Sequence, residues 1–238
     1  RIRDHRKRPV RTGALNPPAL SARGMGRPSI KICGIKDSAA LGAALSAGTD
    51  HIGLVFVAKS PRHVGLEAAA ALAREARGRA RVVGLFVDPA MAELEAAHRA
   101  VGLDVIQLHG SESASFAASV RGALQRETWK AIGVRTRADL AAAQAYAGAA
   151  DRVLYDAKPP EGDALPGGTG LRIDWRLLAG VQHPLPWILA GGLDADNVAE
   201  AMAITGADFV DVSSGVESAR GVKDSARIAA FCAAALGQ

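Results

Sequence analysis

The length, composition and charge of the chain exclude several classes of protein. With 238 residues, 49% of them hydrophobic and 22% charged, the composition is that of an ordinary globular protein with one large domain or two small ones. The formal net charge is +5 at pH 7, but the positive residues concentrate near the amino terminus, and no basic patch interleaved with aromatic residues recurs later. We therefore expect no nucleic-acid partner.

The number of cysteines and the lengths of the apolar runs exclude further kinds of protein. The chain has two cysteines, Cys33 and Cys232, and neither stands in a close Cys/His cluster of the kind that binds zinc. We therefore expect neither a disulfide framework nor a metal. No run approaches the ~18 apolar residues that cross a membrane, and the basic first residues lead into Pro, Gly and Asn rather than an apolar signal core. These features predict a cytoplasmic protein with no membrane partner.

The first 28 residues differ in character from the rest of the chain. They lack apolar periodicity and contain several Gly and Pro, so we predict a disordered basic extension over residues 1–28 and a folded domain over residues 29–238. An alternative is a native start at Met25, with additional residues upstream. An organellar transit peptide is a third interpretation, which the arginine content favours and the lack of a clear amphipathic helix opposes.

From residue 29 onward, short apolar runs rich in Val, Ile and Leu alternate with segments of helical length. Such runs are typical of parallel strands that are buried on both faces. Strands are predicted at 29–33, 51–56, 82–87, 105–108, 128–132, 152–155, 187–190 and 208–212.

The segments between these strands predict helices. Asp37 is expected to cap the first helix, which runs to about residue 47, and Asp88-Pro89 is expected to open the third. The other predicted helices lie near 66–77, 112–121, 137–146, 174–178 and 194–204. Eight βα units joined by right-handed crossovers predict an α/β fold, a single (β/α)8 barrel of eight parallel strands. The alternative is an open doubly wound sheet, but the turn at 33–36 lacks a dinucleotide glycine fingerprint.

The loops after the last two predicted strands favour an anion site. Gly191-Gly192 follows the seventh strand, and Ser213-Ser214-Gly215 follows the eighth. Backbone N–H groups in such loops bind phosphate in α/β barrels, and glycine lets the backbone approach the oxygens. Each loop alone is equally typical of an ordinary strand-to-helix turn. Together, after neighbouring strands, they indicate a phosphate site.

Other polar residues follow strands at the same end of the predicted barrel. Cys33 ends the first strand and Asp156 the sixth, so they are expected to be near neighbours across the mouth, where they are candidates for general base and general acid. A cysteine acts as base if nearby helix N-termini lower its pKa from about 8.5; otherwise it is a small buried hydrophobic residue. Arg62, in a proline-fixed loop, is suited to a carboxylate or is a solvated charge. His109 and Asp211 either contact substrate or bond neighbouring structure.

Short motifs in order along residues 29–238 resemble the phosphoribosylanthranilate isomerases of tryptophan biosynthesis. They are I-K-I-C-G-I at 30–35, S-P-R at 60–62, G-L-F-V-D at 84–88, Q-L-H-G at 107–110, L-Y-D-A-K at 154–158, P-G-G-T-G at 166–170, A-G-G-L at 190–193 and V-D-V-S-S-G-V-E at 210–217. The chain departs from the usual pattern at Lys36 and at 171–173, which removes no proposed catalytic group.

The resemblance implies a role for each matching residue. Cys33 would be the general base, Asp156 the general acid, and Arg62 a contact to the anthranilate carboxylate. Further residues would bind substrate: Gly168, Gly170, Gly191, Gly192, Ser213 and Ser214 around the phosphate, and His109 and Asp211 in the pocket. The implied reaction is the Amadori rearrangement of N-(5-phosphoribosyl)anthranilate to 1-(2-carboxyphenylamino)-1-deoxyribulose 5-phosphate. It requires no metal and no cofactor, and the protein would be a monomer or homodimer.

Two other functions are compatible with a phosphate-binding barrel. The related sugar isomerase of histidine biosynthesis acts on a substrate with two phosphates, but it carries an aspartate where this chain has Cys33. The turns after strands three and four also lack its second glycine-rich phosphate site. A non-catalytic barrel that binds a phosphorylated ligand is the other alternative, and the presence of both Cys33 and Asp156 argues against it.

Overall fold

The computed structural model of the chain describes residues 26–158 and 170–238 and shows a closed barrel of eight parallel strands. The strands are β1 (Ser29–Cys33), β2 (His51–Val55), β3 (Arg81–Phe86), β4 (Val105–Leu108), β5 (Glu127–Val134), β6 (Arg152–Ala157), β7 (Trp187–Leu189) and β8 (Phe209–Val212). Strand β1 pairs with both β2 and β8 and closes the barrel. The predicted (β/α)8 architecture is confirmed.

A layer of helices covers the outside of the strands. The α-helices are α1 (Ser38–Ser46), α2 (Leu66–Ala76), α3 (Met91–Val101), α4 (Ala114–Leu124), α5 (Val198–Thr205) and α6 (Ser225–Leu236), and short 3-10 helices occur at Trp175–Leu177 and Ser214–Val216. The predicted cap of α1 is confirmed, since Asp37 Oδ1 accepts a bond of 2.8 Å from the Ala40 N–H. None of the helices described is both long and apolar enough to span a bilayer.

The prediction that Asp88-Pro89 opens the third helix is wrong. Helix α3 begins only at Met91. Asp88 adopts a left-handed backbone conformation (φ 47°), and its Oδ1 accepts a bond of 2.6 Å from the N–H of Ser111. The carboxylate therefore joins the loops after β3 and β4, a tertiary contact that the local sequence does not reveal.

Two other predicted helices differ from the structure. Residues Arg137–Tyr146 form a 3-10 helix, and the Asp139 carboxylate accepts bonds from the backbone N–H groups of residues 135 and 136 at its start. Helix α5 starts four residues later than expected. Its first predicted residues form a turn in which Asn197 Oδ1 accepts from Asp194 N and Asn197 Nδ2 donates to Gly192 O.

The barrel interior is apolar in its amino-terminal half and polar toward the carboxyl ends of the strands. His51, Trp129 and Phe209 form a ring cluster with centroids 4.8 to 5.5 Å apart. The apolar side chains packed with this cluster are Val83, Val105, Leu154 and Ile188. These side chains fill the amino-terminal half of the interior. Polar groups on the inner face therefore lie at the carboxyl-terminal opening of the barrel, here called the mouth.

A short ribbon after β8 was not predicted from the sequence. Strands β9 (Glu217–Ala219) and β10 (Val222–Lys223) pair antiparallel, and Gly221 makes the turn between them with φ 78°. A Cβ on Gly221 would lie 2.6 Å from the carbonyl oxygen of Pro61. Glycine is therefore required where the ribbon touches the loop after β2.

Glu217 anchors this ribbon through buried charges. Its carboxylate accepts bonds from Arg62 Nε at 2.7 Å and Arg62 Nη2 at 2.9 Å, and from Lys223 Nζ at 2.8 Å. Burial alone raises the pKa of Glu217, but the bonds from Arg62 and the charge of Lys223 outweigh this effect and lower the pKa to about 2. The ionised carboxylate thus stabilises the folded protein.

We predict that Glu217→Gln lowers the free energy of unfolding by about 3 kcal/mol near neutral pH, because two buried cations lose their partner. The carboxylate contributes stability above its ordinary pKa of 4.5, and this contribution is lost as the pH falls toward the folded-state value of about 2. Urea unfolding at several pH values should therefore show the difference from wild type shrinking below pH 4.5.

The matched control is Glu75→Gln, on the exposed face of α2. It should change the unfolding free energy by less than about 0.5 kcal/mol at every pH. A Glu217→Gln deficit that stays constant between pH 7 and pH 3 would show that the charge of Glu217 does not carry the interaction.

Candidate active site

Strand β1 brings a lysine and a cysteine to the inner face of the barrel, two residues apart. Lys31 is fully buried, and its Nζ lies 2.9 Å from Asp211 Oδ1 on β8. Cys33 stands beside Gly53 of β2 in the strand register. A Cβ on Gly53 would come within 2.9 Å of Cys33 Sγ and 3.2 Å of Lys31 Cε. Glycine therefore leaves the space that the thiol and the lysine share.

The surroundings of Cys33 act on its pKa in opposite directions. Burial raises the pKa of the thiol, the positive charges of Lys31 and Lys223 lower it, and the Asp211 carboxylate raises it. The net effect is a pKa above the ordinary value of 9.0. This direction is opposite to the lowering expected from helix N-termini, so the thiolate is a minor species near neutral pH.

Asp156 lies at the end of β6, and its side chain is 14% exposed at the mouth. Its Oδ1 accepts a bond of 2.8 Å from the Ala157 N–H, and its Oδ2 lies 3.3 Å from His109 Nε2. That ring nitrogen makes no hydrogen bond within the described part of the chain, whereas Nδ1 lies 3.1 Å from Gln107 Nε2. His109 is thus oriented by Gln107 and directed toward the Asp156 carboxyl.

The barrel places Cys33 and Asp156 on different sides of the mouth. Their strands, β1 and β6, are separated by β7 and β8 in the order around the barrel. Asp211 of β8 lies between them and contacts Lys31 on the side of β1. A substrate that reaches both proton-transfer groups would therefore lie across the carboxyl ends of β6 to β8 and β1.

Arg62, predicted to bind a carboxylate, is buried rather than solvated. Its paired bonds to Glu217 fix the plane of the guanidinium, and a Cβ on Gly34 would lie 2.8 Å from Arg62 Cδ. Lys36, where the chain departs from the family pattern, donates a bond of 2.9 Å to the Pro61 carbonyl. This bond ties the loop after β1 to the loop that carries Arg62.

The two loops predicted to bind phosphate meet in one cleft. Gly191 and Gly192 have φ values of 83° and 69°, and a Cβ on either would lie 2.7 Å from backbone, at Ala157 N and Leu171 O respectively. Both positions therefore need glycine. The cleft is lined by Asp156, Gly170, Gly191, Gly192, Ser213 and Ser214. Gly168 lies outside the described residues.

Ser213 links this cleft to the strand that carries Cys33. Its hydroxyl donates a bond of 3.1 Å to the Cys33 carbonyl oxygen, and its own carbonyl accepts from Lys223 Nζ at 2.9 Å. The side chain of Ser213 is thus engaged with protein, so its backbone is the part suited to an anion. Among the residues that the structure describes, no group of three or more His, Cys, Asp or Glu is placed to hold a metal ion.

Sequence reasoning missed three charged residues of the site, namely Lys31, Glu217 and Lys223. Lys31 carried a signal, because a lysine two residues before Cys33 in an apolar strand must share its face. Glu217 ends the motif at 210–217, but the motif gave it no role, and Lys223 carried no signal. The contacts of Glu217 with Arg62 and of Lys223 with Ser213 join segments that the sequence does not show to be neighbours.

Comparison with known proteins gives a consistent result. The sequence model of the N-(5'phosphoribosyl)anthranilate (PRA) isomerase family matches residues 30–234. The N-(5'-phosphoribosyl)anthranilate isomerase of Rhodospirillum centenum is 55% identical over 210 residues, which are 87% of this chain and 98% of that protein. The corresponding protein of Paramagnetospirillum magneticum is 50% identical over 208 residues, covering 87% of this chain and 97% of its own length.

Solved structures agree with the sequence match. Phosphoribosyl anthranilate isomerase from Thermotoga maritima superposes with a TM-score of 0.80 at 32% identity, over 89% of this chain and all of that one. A phosphoribosyl anthranilate isomerase in complex with reduced 1-(o-carboxyphenylamino)-1-deoxyribulose 5-phosphate gives a TM-score of 0.78 at 29% identity, over 89% of this chain and 100% of the other. Because the family model spans most of its length and its relatives align almost completely with it, the chain belongs to the N-(5'-phosphoribosyl)anthranilate isomerase family.

Proposed function

We propose that Cys33 and Asp156 carry the proton transfers of the isomerisation that this chain performs in tryptophan biosynthesis. The reaction rearranges N-(5'-phosphoribosyl)anthranilate to 1-(2-carboxyphenylamino)-1-deoxyribulose 5-phosphate. One observation carries the assignment of residues: Asp156 lines the same cleft as the glycine and serine loops of β7 and β8. A phosphate held by these loops would place its attached sugar beside the carboxyl.

The reaction divides into two proton transfers. Asp156 as general acid donates a proton to the furanose ring oxygen while the anthranilate nitrogen lone pair forms a C=N bond to C1, which opens the ring to a Schiff base. Cys33 as thiolate then removes the proton from C2, the electrons of that C–H bond form a C1=C2 double bond, and the π electrons of the C=N bond return to the nitrogen to give an enolamine. Tautomerisation of the enolamine yields the ketone. The substrate nitrogen accepts the electrons.

Phosphate binding is proposed for the backbone at Gly170, Gly191, Gly192, Ser213 and Ser214. Gly168 is included on the motif alone. The support is geometric, because these residues line one cleft and the two positive-φ glycines bring backbone rather than side chains to its surface. A related enzyme has been solved with a phosphorylated product analogue, and we extend the same class of ligand to this chain.

Three side chains at the mouth are proposed to hold the rest of the substrate. Arg62 would bind the anthranilate carboxylate, because its guanidinium is planar, permanently charged and already oriented by Glu217. His109, 3.3 Å from the Asp156 carboxyl, and Asp211 would line the pocket around the sugar. We further propose that the protein is a monomer or homodimer and that it acts in the cytoplasm, because its family is biosynthetic.

We predict that Cys33→Ser and Asp156→Asn each lower kcat by several orders of magnitude with little change in KM. A serine hydroxyl is not ionised near neutral pH, and an asparagine amide cannot deliver a proton. Freshly prepared phosphoribosylanthranilate loses its fluorescence on turnover, so the rate can be followed directly. The control is Cys232→Ser, which changes the second buried cysteine of the chain, on α6, and should retain wild-type turnover. Activity of Cys33→Ser within about tenfold of wild type would refute the role of base.

We predict that Gly192→Ala raises KM roughly tenfold and weakens inhibition by inorganic phosphate, because its Cβ would displace the backbone at Leu171. Gly206→Ala is the matched control. Gly206 also has a positive φ of 73°, yet a Cβ there would meet nothing within 4 Å and lies outside the cleft. Both variants should lose stability because alanine is strained at a positive φ, and Gly192→Ala should lose more because its Cβ also meets backbone, but only Gly192→Ala should change KM. Equal KM values in the two variants would exclude the cleft as the phosphate site.

The catalytic domain is proposed to be residues 29–238, with residues 1–28 as an extension. Removing residues 1–24 is expected to leave kcat/KM and Tm nearly unchanged, because this segment has no apolar pattern able to dock on the barrel. The removal stops before Arg27, whose Nη2 donates a bond of 2.6 Å to the Gly48 carbonyl. A Tm lowered by more than a few degrees would show that the removed segment packs on the domain.

A further inference from the structure

The proposed mechanism gives no role to the fully buried Lys31. Its Nζ lies 2.9 Å from Asp211 Oδ1, and the end of its side chain is a neighbour of the Cys33 thiol, since a Cβ on Gly53 would lie 3.2 Å from Lys31 Cε and 2.9 Å from Cys33 Sγ. An ammonium group has three N–H donors, so one lysine can serve the carboxylate and the sulfur at once. Lys31 thus connects β8 to the reacting end of β1 inside the barrel.

Stability alone is a poor reason for a buried ion pair in this position. Removing two charges from water costs about as much as their attraction returns, and apolar residues of similar volume are often equally stable in their place. The lower half of the same barrel is filled in that apolar way. The pair of Lys31 and Asp211 stands instead beside the thiol, where a fixed charge in a poorly polarisable interior acts strongly on its neighbours.

We propose that Lys31, held in place by Asp211, is a positioning residue that stabilises the negative charge of the Cys33 thiolate. The inference rests on the proposed function, in which this thiolate takes the C2 proton of the sugar. The thiolate is the charged form of the base, and it becomes a neutral thiol when it accepts that proton. An ammonium next to the sulfur raises the fraction of enzyme that is ready to react, against the burial that disfavours the charge.

The charged groups around Cys33 have opposite signs, so each variant has a distinct expected direction. Lys31 on β1 and Lys223 on β10 favour the thiolate, whereas Asp211 on β8 disfavours it. On strand β2, the residue in register with Cys33 is Gly53, which has no side chain. His51 is in register with Lys31, two residues earlier on each strand. A purely structural role for Lys31 would give no shift of either sign.

The experiment titrates the Cys33 thiolate without substrate. The ultraviolet absorbance of thiolate is measured against pH, as the difference between each variant and the same variant carrying Cys33→Ser. Lys31→Met should move the midpoint upward by at least about one pH unit, so that roughly tenfold less thiolate forms at a given pH. Asp211→Asn should move the midpoint downward. The acidic limb of the kcat/KM profile should shift in the same direction for each variant.

Lys130→Met is the matched control. Lys130 is also a buried strand lysine paired with a carboxylate, since its Nζ lies 3.1 Å from Glu112 Oε2, but it does not act on Cys33. It should lower Tm and leave the thiolate midpoint unchanged. If Lys31→Met fails to fold, Lys31→Met/Asp211→Asn removes both charges. Because the charge of Lys31 acts on the thiol more strongly than that of Asp211, the thiolate midpoint of the double variant should lie above that of wild type.

Each outcome decides a separate point. The proposal is overturned if the thiolate midpoint of Lys31→Met, or of the double variant, coincides with that of wild type while Tm falls as it does in Lys130→Met. Lys31 would then be a structural residue. If the midpoint shifts but Cys33→Ser keeps full activity, the charge effect of Lys31 is supported and Cys33 is rejected as the base. Failure of the proposed function can therefore be distinguished from failure of this inference.

Discussion

Closure of eight parallel strands is the constraint on which the site depends. It brings all the carboxyl ends to one mouth and turns alternate side chains inward, into a space with room for few of them. His51, Trp129 and Phe209 fill the lower half of that space. Polar side chains on the inner face are therefore concentrated at the mouth, where Asp156 lines the glycine-rich cleft and the Cys33 carbonyl accepts a hydrogen bond from Ser213 of the same cleft.

The same interior sets a conflict between burial and chemistry. A thiol in a closed barrel is protected from solvent, but burial raises its pKa and reduces the fraction of thiolate that the proposed mechanism requires. The cations of Lys31 and Lys223 oppose that effect, and each is itself neutralised by a carboxylate, Asp211 or Glu217. Charge balance at the mouth is therefore shared by β1, β8 and the ribbon, so a change at one of these residues affects the others.

Glu217 shows how a residue outside the strands of the barrel supports the site. Its carboxylate orients Arg62 from the loop after β2 and Lys223 from the ribbon, and its low pKa keeps it charged under ordinary conditions. The glycine at 221 lets this ribbon approach the Pro61 carbonyl. Orientation of the arginine and stability of the fold thus depend on one buried carboxylate, which is why loss of Glu217 is expected to affect both.

The sequence by itself determined the order of the barrel strands and most of the helices, the cap at Asp37, the placement of Cys33 and Asp156 at strand ends, and the glycine and serine loops that follow β7 and β8. These features depend on local patterns, namely apolar runs, turn residues and capping side chains. Only the tertiary structure decided that Lys31 meets Asp211, 180 residues away, and that Arg62 meets Glu217, 155 residues away. Such pairs depend on barrel closure and strand register, which bring distant segments together and which no local pattern encodes.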